Sequence, residues 1–243
     1  MSELGKLAER NPGKAGNEVI PFLAKGLTDP DIKVRANAAG GLAVIAMETA
    51  PKFKQPNPGF PDFKSYAPLK ADLEAAMFDS DAQVRRAAWA AYFYTFELTP
   101  ELQAKLIKQF PTEEKTGLQP AIIELLTMCE SPTPDTQTFL VNLLDNPKYL
   151  PFVIESFAKI PPSPKIPPPP AAALPKLADM LAKANDSGKR QFLARAVGRY
   201  GAQARPYLGQ IEQLRDKELD PTTRLNLKAA ADAVRAGKPL QDQ

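Results

Sequence analysis

The 243-residue chain contains no histidine and a single cysteine, Cys129. That excludes an intrachain disulfide and every metal site built on imidazole or on several thiolates. It also removes the commonest general base near neutral pH, and with it any Ser-His or Cys-His nucleophile pair. Most hydrolytic and metal-dependent chemistry is excluded on those grounds, and no cofactor is expected. Long apolar runs are lacking too. None approaches the roughly 18 residues that cross a bilayer, and the opening MSELGKLAERNPGK has no apolar stretch of the signal-peptide kind. Charge of one sign is scarce: the net value of +3 is too small to argue for nucleic acid. Proline, by contrast, is plentiful at 26 residues, about twice average usage. It recurs between apolar runs and so punctuates many short elements.

What is present is a repeat. DPDIKVRANAAGGLAVIA at 29–46 returns as DSDAQVRRAAWAAYFYTF at 79–96. With Val34 set equivalent to Val84, one helical face carries Val84, Ala88, Ala91 and Thr95. Its counterpart carries Val34, Ala38, Gly41 and Ile45, with Leu42 beside them. The 3.6-residue period places small residues where a second helix must come close. An apolar helix precedes each, VIPFLAKGL at 19–27 and LKADLEAAMF at 69–78, so the unit is helix, Asp-containing turn, helix. Further units follow at 102–129, 136–160, 173–201 and 204–237. Leu118 comes thirty-four residues after Val84, and Arg224 thirty-four after Arg190. Six helix pairs at a period in the thirties predict a solenoid, because one pair cannot bury its apolar face alone.

These residues resemble HEAT repeats, in particular the shorter HEAT-like kind with a D-x-x-VR-x-x-A-x-x-A-L-G pattern. The resemblance spans nearly the whole chain. It is strong in units one, two and five, moderate in six, and weak in three and four, where Gln119 and Ile154 stand in the arginine's place. It implies an all-α, right-handed solenoid of about six antiparallel helix pairs, with residues 1–243 as one domain. Proline-rich insertions at 51–68 and 160–170 separate repeats. It further implies a structural ladder, in which Arg35, Arg85, Arg190 and Arg224 bridge to turn carboxylates such as Asp31 and Asp81. The turn aspartates can also cap the helices that follow. ELGKLAER, near the start, reads as the second helix of a unit without its first; a terminal cap and the loss of an upstream segment both account for that.

Four constellations could carry function. On the second helix of unit two, Arg86, Ala90 and Phe93 point away from the core, flanked by Trp89 and Phe96. The resemblance puts second helices on the concave surface, where the equivalent unit-one residues Ala36, Gly40 and Ala43 make a shallow floor. Aromatic and arginine side chains dominate interface energetics, so Arg86, Trp89, Phe93 and Phe96 are expected partner anchors; burial under neighbouring units is the competing reading. The 51–68 insertion interleaves Lys52, Phe53, Lys54, Phe60, Phe63, Lys64 and Tyr66 with prolines, for peptide or base contact or to cover the solenoid edge. IPPSPKIPPPP at 160–170 has PxxP spacings and reads as a stiff connector between two half-solenoids, with an SH3-type ligand as the alternative. Between Asp186 and Glu212 there is no acid, while Lys189, Arg190, Arg195, Arg199 and Arg205 occur. Arg195 and Arg199 are expected to steer acidic groups of a partner.

The expected function is a non-catalytic scaffold holding a protein or peptide, with acidic groups on the partner, along the concave face. A nucleic-acid role like that of HEAT-like DNA glycosylases is the second reading, disfavoured by the small basic excess. A bilin lyase-like role is the third. The chain is expected to be a monomer without a membrane span. A cytoplasmic site is favoured, export staying open if an upstream signal was removed.

Overall fold

Aspartate, threonine and proline set the helix boundaries. The computed structural model describes residues 12–49, 67–159 and 165–240. Among these are twelve α-helices and no strand. They are α1 (Pro12–Gly26), α2 (Ile32–Thr49), α3 (Lys70–Ala76), α4 (Ala82–Thr95), α5 (Pro100–Gln109), α6 (Gln119–Thr127), α7 (Pro134–Leu143), α8 (Leu150–Ala158), α9 (Leu174–Lys183), α10 (Ser187–Gly198), α11 (Leu208–Lys217) and α12 (Pro221–Ala236). Helices α5, α7, α8, α9 and α12 carry proline in the first turn, where its missing N–H costs nothing. Pro21 departs from that punctuation and lies inside α1. At the entrances of α4, α10 and α12 the carboxylates of Asp81, Asp186 and Asp220 accept backbone N–H bonds of 2.7–3.1 Å. Thr99 and Thr133 do the same for α5 and α7, each satisfying amides that the helix leaves open.

The chain divides into two compact units, one of residues 1–98 with 114–118, the other of 99–113 with 119–243. In the first, α1 pairs with α2 and α3 with α4, and α2 stacks broadly on α4. Small residues make this possible. Ala38, Ala39 and Ala46 of α2 and Ala88 and Ala91 of α4 are buried, around Leu42, Val84 and Tyr92. A Cβ added to Gly26 would lie 2.7 Å from that of Ala38, so glycine lets α1 close onto α2. In the second unit α6 packs on α8, α8 on α10 and α10 on α12, second helix against second helix, while α5 packs on α7. That neighbour-to-neighbour translation is how short helices with one apolar face obtain a shared core.

Val84, Ala88, Ala91 and Thr95 are all buried, as the spacing predicts, and so are Ala38, Leu42 and Ile45. Val34 is not: it is 40% exposed where Val84 is fully buried. Its helix belongs to the first described hairpin, and no earlier described helix covers it. The proline segment also differs from expectation. Residues 165–170 join α8 to α9 inside the second unit and do not divide the two units. The first insertion, over 51–66, the stretch ELGKLAER and residues 160–164 lie outside the described residues.

Candidate interaction surface

The repeated turn sequence builds one motif twice in the first unit. In each turn the first aspartate accepts the amide of the second, Asp29 from Asp31 and Asp79 from Asp81, at 2.8 Å. The second aspartate caps the helix, with Asp31 accepting Lys33 N and Asp81 accepting Gln83 N. The arginine four residues further on reaches back to its own turn. Arg35 donates to the carbonyls of Asp29 and Pro30, and Arg85 to those of Asp79 and Ser80. Arg35 then crosses to the next repeat, where Nε and Nη2 hold the two oxygens of Asp79 at 2.7 and 3.1 Å. Bonding to Asp79 raises the Arg35 pKa above its ordinary value. Burial works against ionising Asp79, yet the bonds from Arg35 and the Asp81 amide hold its carboxyl below the usual range.

The ladder carboxylates are therefore not Asp31 and Asp81, which are spent as caps. In the second unit Arg190 Nε pairs with Glu218 at 2.8 Å, and Glu218 in turn accepts the amide of Asp220. Glu218 thus does for its turn what Asp79 does for its own. Arg224 is no rung: it is exposed and pairs with no carboxylate among the described residues. In unit three, where the arginine is missing, Gln119 takes over part of its role, and a second glutamine on the preceding helix makes the tie to the next repeat. Gln119 donates back to the Phe110 carbonyl at 2.9 Å, the self-turn bond that the arginines make. Gln103, fully buried in α5, donates to Ser131 O and accepts from Thr133 N and Thr136 Oγ1, tying unit three to unit four. Nothing in its surroundings in sequence marks Gln103 for this.

Two expected anchors are interior groups. Trp89 is 1% exposed, with its indole N–H on the Met77 carbonyl at 2.9 Å. The helix α4 is covered by α2 as well as by α3, so its buried arc is wider than a two-helix hairpin would make it. Arg199 is also 1% exposed. It donates to Phe157 O and Pro167 O, and Arg195 Nε donates to Ala158 O. Two cations thus serve the open carbonyls at the C-terminus of α8, where the helix dipole favours positive charge. Burial lowers the Arg199 pKa to about 10. Tyr200 adds a bond from its hydroxyl to Pro170 O. The basic cluster is largely framework, and it straps the proline segment down.

Arg86 is exposed, while Phe93 and Phe96 are half-buried, with rings against Tyr94 and Tyr92 at centroid distances of 5.2 Å. On α2 the floor is open: Ala36, Gly40 and Ala43 are half-exposed, and a Cβ on Gly40 would meet nothing within 4 Å. Val44 and Met47 extend it, 40% and 46% exposed. The two helices share register, so Gly40 corresponds to Ala90 and Ala43 to Phe93. Together they present a shallow apolar strip edged by Phe93 and Arg86. Among the described residues no group of His, Cys, Asp and Glu could hold a metal ion, and no helix is long and apolar enough to cross a membrane.

Residues 19–47 match the family model described as HEAT repeat. Curated proteins include none that matches the chain. Among solved structures, a designed armadillo repeat protein is similar at 17% identity and a TM-score of 0.51, covering 88% of this chain and 99% of its own. Two engineered proteins are similar at 16% and 19% identity. The first has a TM-score of 0.52 over 92% of this chain and 99% of its own, the second 0.56 over 96% and 66%. Residues 19–47 thus read as a HEAT repeat, and the structural likenesses show the fold, a helical-repeat solenoid.

Proposed function

We propose that this chain is a non-catalytic binding scaffold that holds a protein or peptide along the α2–α4 surface, with residues 1–243 forming one repeat array. The observation that carries the reading is the strip Gly40, Val44 and Met47 beside Phe93 and Arg86. Large apolar side chains stay in water there although the helices beneath them are closely packed. Contiguous exposed apolar surface on a folded domain marks interaction sites, and an aromatic next to an arginine is the usual composition of an interface centre. The missing histidines remove the ordinary acid–base machinery and agree with a role without catalysis.

The test is affinity capture from the source cells, comparing the original chain with V44S/F93A. Both positions are solvent-accessible, so the variant keeps its helicity. A partner recovered by the original chain and lost by the variant supports the reading. Equal recovery removes the strip from the interface.

A further inference from the structure

The last hairpin carries an arginine in the ladder register that has nothing to hold. Arg224 stands thirty-four positions after Arg190, yet its side chain is exposed and makes no hydrogen bond or ion pair among the described residues. Lys228, one helical turn further along α12, is likewise exposed and without an ion pair among the described residues. The two flank Leu225, which is 65% exposed, and close by in sequence Leu219 is 91% exposed. Arg224, Leu225 and Lys228 line an open cleft of about 530 Å³ together with Arg215, Asp216 and Pro221. The acids close by in sequence are committed, Asp232, one turn beyond Lys228, among them through its pair with Arg235. Asp216 pairs with Arg215 at 2.8 Å, Asp220 caps α12, and Glu218 is taken by Arg190. The cleft therefore keeps two uncompensated positive charges around an apolar centre.

The geometry points to this cleft as a docking site for an acidic segment of a partner protein, bearing two carboxylates about one helical turn apart and an apolar side chain between them. Three features favour that occupant. Arg35 shows what a guanidinium in this register takes, a carboxylate gripped by two nitrogens, a geometry arginine is built for. Side chains at i and i+4 have Cβ atoms roughly 5–6 Å apart, matching acids on one face of a partner helix or turn. An exposed leucine between the cations suits a peptide better than a nucleic-acid backbone, which would gain nothing from it and offers bases that call for aromatic stacking. The site lies on α11 and α12, apart from the α2–α4 strip, and does not depend on it.

The experiment uses the full chain and fluorescence anisotropy of a labelled synthetic peptide with glutamates at i and i+4 and leucine between them. Its glutamine counterpart and a single-stranded oligonucleotide of similar length are the competitors. We expect saturable binding that weakens with salt, by tenfold or more in R224E/K228E and several-fold in L225S. The glutamine peptide should compete poorly. Thermal melts should not move, because none of the three side chains is buried. Absence of saturable binding overturns the proposal, as does affinity unchanged by R224E/K228E. An oligonucleotide that displaces the peptide efficiently, with L225S without effect, overturns it in favour of a phosphate-backbone site.

Discussion

The Arg35 guanidinium grips both carboxylate oxygens of Asp79, 44 positions later in sequence, at 2.7 and 3.1 Å. Asp79 simultaneously accepts the Asp81 amide and so shapes the turn that launches α4. One carboxylate thus fixes a turn and joins two repeats. R35A and D79A should each lower Tm by a few degrees, on the order of 2–4 °C. The double variant should lose clearly less than the sum, since both remove one interaction. The pH dependence follows from the lowered Asp79 pKa. The stabilisation is fully present above the unfolded aspartate value of about 3.9 and is lost as pH falls through the lower folded value. Acid titrations monitored by circular dichroism should therefore show the gap between the original chain and D79N closing below about pH 4.

Trp89 is the only tryptophan, so its fluorescence reports one site. Its burial under α2 and α3 predicts blue-shifted emission and weak quenching by acrylamide, with a full red shift on unfolding. W89F keeps most of the packing and orphans the Met77 carbonyl bond; it should cost about 1–3 kcal/mol by denaturant titration.

Gln103 is a single uncharged side chain that meets a carbonyl, an amide and a hydroxyl across two repeats. Q103L, nearly the same in volume, takes away the partner of those three groups and leaves the buried Thr136 hydroxyl with one bond fewer. The expected loss is about 2–4 kcal/mol, seen in chemical denaturation, with overall helicity unchanged at low denaturant.

Arg199 is held by carbonyls, and none of its bonds is to a carboxylate. R199M relieves the burial of a charge but frees the Pro167 carbonyl and opens the end of α8. The balance should be a net loss of about 1–3 kcal/mol. Loosening of the proline strap is the more specific outcome, read as faster hydrogen exchange at Ile166 and in the last turn of α8.

The period, the core of α4 and the capping aspartates were legible because each is local. Val84, Ala88, Ala91 and Thr95 follow from 100° per residue, and Asp81 from its place before an apolar run. What the sequence hid was whatever depended on a third element. Trp89 falls at the edge of a hairpin's apolar arc, on a helix that packs against α2 as well as α3. Arg195 and Arg199 read as a positive patch because their acceptors are backbone carbonyls 32 to 42 residues away, which no charge count registers. The ladder was visible from the arginines, but the choice among Asp29, Asp31, Asp79 and Asp81 turned on which carboxylate was already used as a cap. Phe93 and Arg86 were legible as outward positions, whereas Val44 and Met47 are apolar residues of the kind that usually marks a core face, and their exposure does not show in the sequence.

The proposed partner-binding face is the α2–α4 strip. A photo-reactive amino acid placed singly at Val44, at Met47 and at Phe22, which is 66% exposed on α1, tests this in the presence of the captured partner. Adducts are expected from positions 44 and 47 and none from 22. Adducts from position 22 alone would contradict that assignment.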